Sequence, residues 1–186
     1  INTEWHLREP TESYAPVPPL LARAIAYVCC VWEHPVLALL FLLSWEGALR
    51  PADIAGLRRE DVRLPGEDGD LPGRVEPAIT LVLRWAKTRR KAARIQTVRL
   101  TGRGLIAVTR AVLAPLRPDD FLFSSRRRDR AAHLAEVFGD ALQALRVPVG
   151  QRGGYVLSGL RPGGLTALFQ RCGDLRLVQW HARHEV

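Results

Sequence analysis

Between Arg84 and Arg103 the chain carries eight lysines and arginines and not one acid. Arg84, Lys87, Arg89, Arg90, Lys91 and Arg94 form the densest part of that run. Cations without neutralising partners attract phosphate groups and release the counterions condensed around them. Arginine far outnumbers lysine in the chain. Its planar fork can grip a phosphate through two parallel N–H bonds, which a single ammonium cannot match. A net charge of +8 and a pI of about 10.4 extend the same bias to the whole molecule. They point to an anionic partner, either nucleic acid or an acidic membrane surface, without choosing between them.

Other chemistries find less support. Cys29 and Cys30 are adjacent in an apolar stretch and Cys172 is distant, and no CxxC pair or Cys/His spacing suggests zinc. Buried, reduced thiols in an intracellular protein are expected. The most apolar stretch, Val36–Trp45, is too short to cross a bilayer and is bracketed by Glu33, His34 and Glu46, so it reads as a buried core helix. The opening INTEWHLREP is polar and charged, unlike a signal peptide, and its lack of methionine suggests a fragment or trimmed domain. An apolar fraction of 47% over 186 residues is ample for one domain with a real core.

The elements that must position the cations follow from pattern. Residues 1–19 are polar and contain four prolines, which reads as a linker or arm, with the domain proper spanning 20–186. Leu20–Trp32 predicts a largely buried helix, Pro35 opens a second to about Leu49, and Pro51 a short third through Leu57. Asp61–Gly73 reads as a loop. Ile79–Trp85 and Ile95–Leu100 have strand composition, which makes the residues between them the tip of a basic β-hairpin. Helices are expected from Thr101 or Gly102 to Leu113, and over Arg130–Leu145, where Leu134, Val137, Phe138, Ala141, Leu142 and Leu145 share a face. Another covers Leu157–Arg171, regular after the Gly163–Gly164 pair and ended by Gly173, and a last one begins near Asp174. The fold class is mainly α with one small antiparallel sheet.

Three segments, in order, resemble the tyrosine recombinase (phage-integrase) family. In GALRPADIAGLRREDV, residues 47–62, Arg50, Asp53, Leu57, Asp61 and Val62 match the family's first arginine box. Lys87 stands where the family places the lysine of its basic hairpin, and IQTVRL matches the strand that follows. In LSGLRPGGLTALFQRCGDLRLVQWHARH, residues 157–184, Arg161 matches the arginine of the His-x-x-Arg box, Gly173-Asp174-Leu175 the middle, and His184 the closing His/Trp position. Ser158 stands where the box histidine would be. The Leu-Arg-Pro-Gly-Gly form is similar to divergent, retroelement-like members.

The resemblance implies DNA strand breaking and rejoining through a 3′-phosphotyrosine, in site-specific recombination or integration. Attack on a phosphodiester builds extra negative charge on its oxygens, and fixed arginines stabilise that charge more than the ground state. Arg50 and Arg161 would take this role, Lys87 would protonate the departing 5′ oxygen, and His184 would donate to the phosphate, with Ser158 beside them. Asp53 would orient an arginine or support the fold around it. No cofactor or metal is implied. The partner would be duplex DNA, with self-association into a tetrameric synapse and no membrane. The setting would be the nucleus of a eukaryote or the bacterial cytoplasm and nucleoid. Plainer readings stand beside these. Arg50 can serve as a helix-end cation, Ser158 as a helix N-cap, and Arg84, Arg89, Arg90, Lys91 and Arg94 as DNA-facing charge. His133 and His181 have no role in this scheme. The family's tyrosine lies past the position of His184, so it is expected beyond residue 186; Tyr14, Tyr27 and Tyr155 are poorly placed for it. The alternative is a DNA-binding module that has lost catalysis.

Overall fold

A computed structural model describes residues 15–67, 76–84, 95–124, 129–150 and 153–182. Helix α2 (Pro35–Glu46) occupies its centre because the sequence leaves that helix almost no polar face. Ala38, Leu39, Leu40, Phe41, Leu43 and Trp45 are all buried, as an all-round apolar helix must be. Helix α1 (Pro19–Val31) packs along it through Ala22, Ile25, Ala26 and Cys29. Helix α3 (Pro51–Ala55) follows after a short turn. A 3-10 turn at Arg59–Asp61 leads into strand β1 (Val62–Arg63), which pairs with β2 (Ala78–Leu83), which in turn pairs with β3 (Gln96–Thr101). All pairs are antiparallel. The register sets Val62 against Leu81, Leu81 against Val98 and Ile79 against Leu100, so one face of the sheet is apolar and buried.

Helices α4 (Arg103–Leu113), α5 (Arg130–Ala144), α6 (Leu160–Cys172) and α7 (Leu175–His181) complete the fold. α5 buries Leu134, Phe138, Ala141 and Leu142, and Phe138 meets Phe41 of α2 edge-on with ring centroids 5.5 Å apart. The expected class, mainly helical with one small antiparallel sheet, is what the chain adopts.

Several boundaries differ from expectation, each for a physical reason. α2 stops at Glu46 rather than near Leu49 because Ala48 takes a left-handed backbone with φ of 47°. The segment read as loop from Asp61 contains β1, whose two residues are too few to show a period and gain their hydrogen bonds from β2. α6 begins at Leu160, so Gly163 and Gly164 lie inside the helix rather than ahead of it. Within the segment read as linker, Val17 is fully buried and its N–H donates to the Gly159 carbonyl, while Pro16 and Pro18 are exposed. α1 is amphipathic rather than largely buried, and Tyr27 on its outer side is 70% exposed.

The thiols also divide. Cys29 is buried, but Cys30 and Cys172 are exposed, against the expectation that all three are interior. Burial, and secondarily the neighbouring Cys30, push the Cys29 thiol up to about 11. Since the thiolate is the reactive form, a disulfide-exchange reagent at pH 8 should titrate two thiols in the folded chain, with the third appearing only on unfolding. Rapid reaction of all three would contradict the packing of α1 on α2.

Among the described residues no helix is long and apolar enough to cross a membrane, and no group of three or more His, Cys, Asp or Glu side chains could hold a metal ion.

Candidate active site

Arg50 ends the turn between α2 and α3. Its N–H donates to the Asp53 carboxylate at 3.0 Å, so Asp53 caps the first turn of α3, where an acid is favoured. That fixes the backbone from which the Arg50 side chain leaves. The side chain is half-buried, and its Nη1 is buried with no hydrogen-bond partner among the described residues. A buried guanidinium N–H left unpaired is costly. An anion arriving at this atom would remove the penalty.

Arg161 comes from α6. Its Nη1 donates to the Ala48 carbonyl at 2.6 Å, and its Nη2 donates to the carbonyl of Ala182. Ala48 is two residues from Arg50 and holds the left-handed backbone noted above, a conformation costing a non-glycine residue roughly 1–2 kcal/mol. The Arg161 guanidinium therefore ties the Arg50 turn to the start of α6 and to the end of α7. His181 adds a second tie, with Nε2 3.1 Å from the Glu46 carbonyl. The two arginine segments, 111 positions apart, are thus joined by the hydrogen bond from Arg161 to Ala48.

The approach of α6 to α2 depends on glycine. A Cβ at Gly164 would stand 1.8 Å from the Trp45 carbonyl oxygen, and one at Gly163 would stand 2.1 Å from the Val17 carbonyl oxygen. Both obstacles are backbone, so no side-chain rotation relieves them. Trp45 closes the same contact by donating from Nε1 to the Val17 carbonyl at 2.9 Å.

Asp61 joins the sheet to this region. It is buried; Oδ2 accepts the Arg58 N–H at 3.0 Å and Oδ1 accepts Arg84 Nε at 2.6 Å. Glu60 approaches the same guanidinium at 3.3 Å. The hydrogen bond to Asp61, followed by the two negative charges, raises the Arg84 pKa above its ordinary value. Arg84 therefore anchors the end of β2, although it is also half exposed. The sequence suggested DNA-facing charge there; the ion pair shows a structural duty that the carboxylates of a separate segment impose.

Ser158 lies half-buried in a 3-10 turn, Leu157–Gly159, just before α6. It does not cap the helix, whose N-cap position is Gly159. Lys87, Arg89, Arg90, Lys91, Arg94 and His184 fall outside the described residues. Sequence reasoning passed over His181 and the Gly163–Gly164 pair. A signal existed for the first: His181 and Ala182 follow the buried Val178 by three and four positions, the spacing of one helix face. For the glycines there was none, since only the tertiary approach shows why a side chain is excluded.

No family model matches the sequence, and no curated protein matches it. Solved structures do. XerA recombinase aligns with a TM-score of 0.67 at 14% identity, over 96% of this chain and 58% of that one. An integrase from mycobacterium phage Brujita aligns with a TM-score of 0.62 at 21% identity, over 95% and 52%. XerH site-specific recombinase, in a pre-cleavage complex with its difH substrate, aligns with a TM-score of 0.65 at 18% identity, over 96% and 50%. The chain thus spans between half and three-fifths of the length of these proteins. Its fold is that of a tyrosine recombinase catalytic domain.

Proposed function

We propose that the chain is the phosphate-gripping part of an enzyme that breaks and rejoins DNA strands through a 3′-phosphotyrosine, the tyrosine lying outside residues 1–186. The observation that carries this reading is the buried Nη1 of Arg50, which has no partner among the described residues and is set on a turn tied to Arg161. A scissile phosphate at that point supplies the missing acceptor, and its transition state, bearing more charge, is held more tightly than its ground state. In this scheme Arg50 and Arg161 hold the non-bridging oxygens. Lys87 protonates the departing 5′ oxygen, His184 donates to the phosphate, and Ser158 stands in for the family's histidine. The ligand is duplex DNA, and copies of the protein associate on it.

Two observations favour a second reading, a DNA-binding module without catalysis. Arg161 commits Nη1 and Nη2 to backbone carbonyls, and a serine occupies the histidine position. A nicked duplex that traps the covalent intermediate separates the two. The full-length protein should form a covalent adduct on a denaturing gel, and Arg50→Ala should lower its rate by at least about a hundredfold, the scale of losing one preorganised donor. Residues 1–186 alone should form none. An adduct mapping to Tyr14, Tyr27 or Tyr155 would overturn the first reading, and a full-length protein that binds but never forms an adduct would establish the second.

A further inference from the structure

Phe121 carries two guanidinium groups. The Arg58 carbon lies 4.4 Å from the ring centroid and the Arg130 carbon 3.8 Å from it. Separate segments bring them there. Arg58 follows α3 and pairs with Phe121 in an antiparallel bridge, reinforced by the Leu122 N–H donating to the Leu57 carbonyl at 2.9 Å. Arg130 is the first residue of α5, whose N-cap Asp129 accepts the Ala132 N–H at 3.0 Å. α5 also packs on α3, so the three parts share one support.

These two arginines differ from five others. Arg59, Arg84, Arg99, Arg110 and Arg161 each donate to a carboxylate or a backbone carbonyl. The side chains of Arg58 and Arg130 make no hydrogen bond or ion pair to any described residue. Their faces are engaged by the ring, while the N–H donors at their edges are not. Like charges on one ring repel, and an anion at the edges relieves that repulsion while meeting the donors. Stacking also fixes the forks in advance, so little side-chain freedom is lost on binding.

We propose that Arg58, Phe121 and Arg130 form a phosphate clamp for the backbone of duplex DNA, distinct from the site at Arg50 and Arg161. It rests on the DNA reading above. Arg58 and Arg50 flank the short helix α3, about 7.5 Å of helical rise. The clamp therefore takes a phosphate flanking the one at Arg50.

The test is duplex binding across a salt series with residues 1–186 carrying Arg58→Gln and Arg130→Gln, Phe121→Leu alone, or Arg171→Gln as an exposed charge control. Each phosphate contact contributes about one unit to the slope of log affinity against log salt. The double variant should lose about two units of slope. Phe121→Leu keeps both charges and should still weaken binding roughly threefold, through loss of the stacking that orients the forks. Arg171→Gln should leave the slope unchanged. A wild-type slope in the double variant, or an equal loss per charge in the control, overturns the clamp while leaving the DNA reading intact. If thermal melting shows that the double variant does not fold, Phe121→Leu decides, and wild-type affinity there overturns the clamp. A wild-type chain that binds no duplex overturns both.

Discussion

Gly164→Ala should unfold this protein more readily than any other single methyl group added to a helix. The new Cβ would meet the Trp45 carbonyl oxygen at 1.8 Å and its carbon at 2.9 Å. Neither atom can swing away, so α6 must move off α2, and that movement opens the core at Leu160 and Ala167. Overpacking of this kind costs about 3 kcal/mol or more, which for a domain of this size is a fall of roughly 10 °C in Tm. Gly139 supplies the contrast. It also lies inside a helix, but a Cβ there would find only a Val149 methyl at 3.8 Å. Gly139→Ala should therefore stabilise by about 0.5–1 kcal/mol, the ordinary helix preference for alanine. Thermal melts of the two variants check the pair, and equal melting would mean that α2 and α6 are not packed as described. The methyl at Gly164 would also disturb the 2.6 Å bond from Arg161 to Ala48, and with it the turn that carries Arg50.

Duplex affinity should fall about a thousandfold between roughly 50 mM and 200 mM salt, the scale expected of some six phosphate contacts. The run from Arg84 to Arg103 motivates this, with eight cations and no acid. The structure refines which of them are available. Arg84 is held by Asp61 and Glu60, and Arg99 donates to the Glu76 carbonyl. The steepness must then come from Lys87, Arg89, Arg90, Lys91 and Arg94 together with the two arginine sites. Replacing those five with glutamine should flatten the slope by about three units, the rest lying at the two arginine sites, whereas Arg99→Gln should barely move it. Anionic vesicles give the second arm, because net charge alone does not separate a membrane surface from nucleic acid. A flat salt response with duplex, or tighter binding to vesicles, would end the nucleic-acid reading.

What could be read in the sequence was whatever depends on local pattern. The apolar face of α5, the paired strands β2 and β3, the glycine stop at Gly173 and the Asp174 cap each leave a local trace. The meeting of the Arg50 and Arg161 segments was legible only through the order of three family-like boxes, because nothing local in either box points at the other. What stayed hidden depended on distant backbone. The turn at Ala48 is held in a left-handed state by an arginine 113 residues away. Arg84 reads as one more cation in a basic run until Asp61 is found beside it. Nothing near Phe121 in the sequence shows that two arginines from other segments lie on its ring.

The Asp61–Arg84 pair sets a direction on mutational change. Asp61 is 5% exposed at its side chain and Arg84 is 48% exposed. Losing Arg84 first strands a buried carboxylate, whose remaining hydrogen bond among the described residues is from the Arg58 N–H, and a buried charge that loses its counter-charge is the more damaging intermediate. Losing Asp61 first frees an arginine that can turn to water, at the smaller expense of one capping bond. A lineage leaving this arrangement can thus take one road without passing through a poorly folded intermediate, in which Asp61 is replaced before Arg84. The return journey runs the other way, with the arginine restored before the acid.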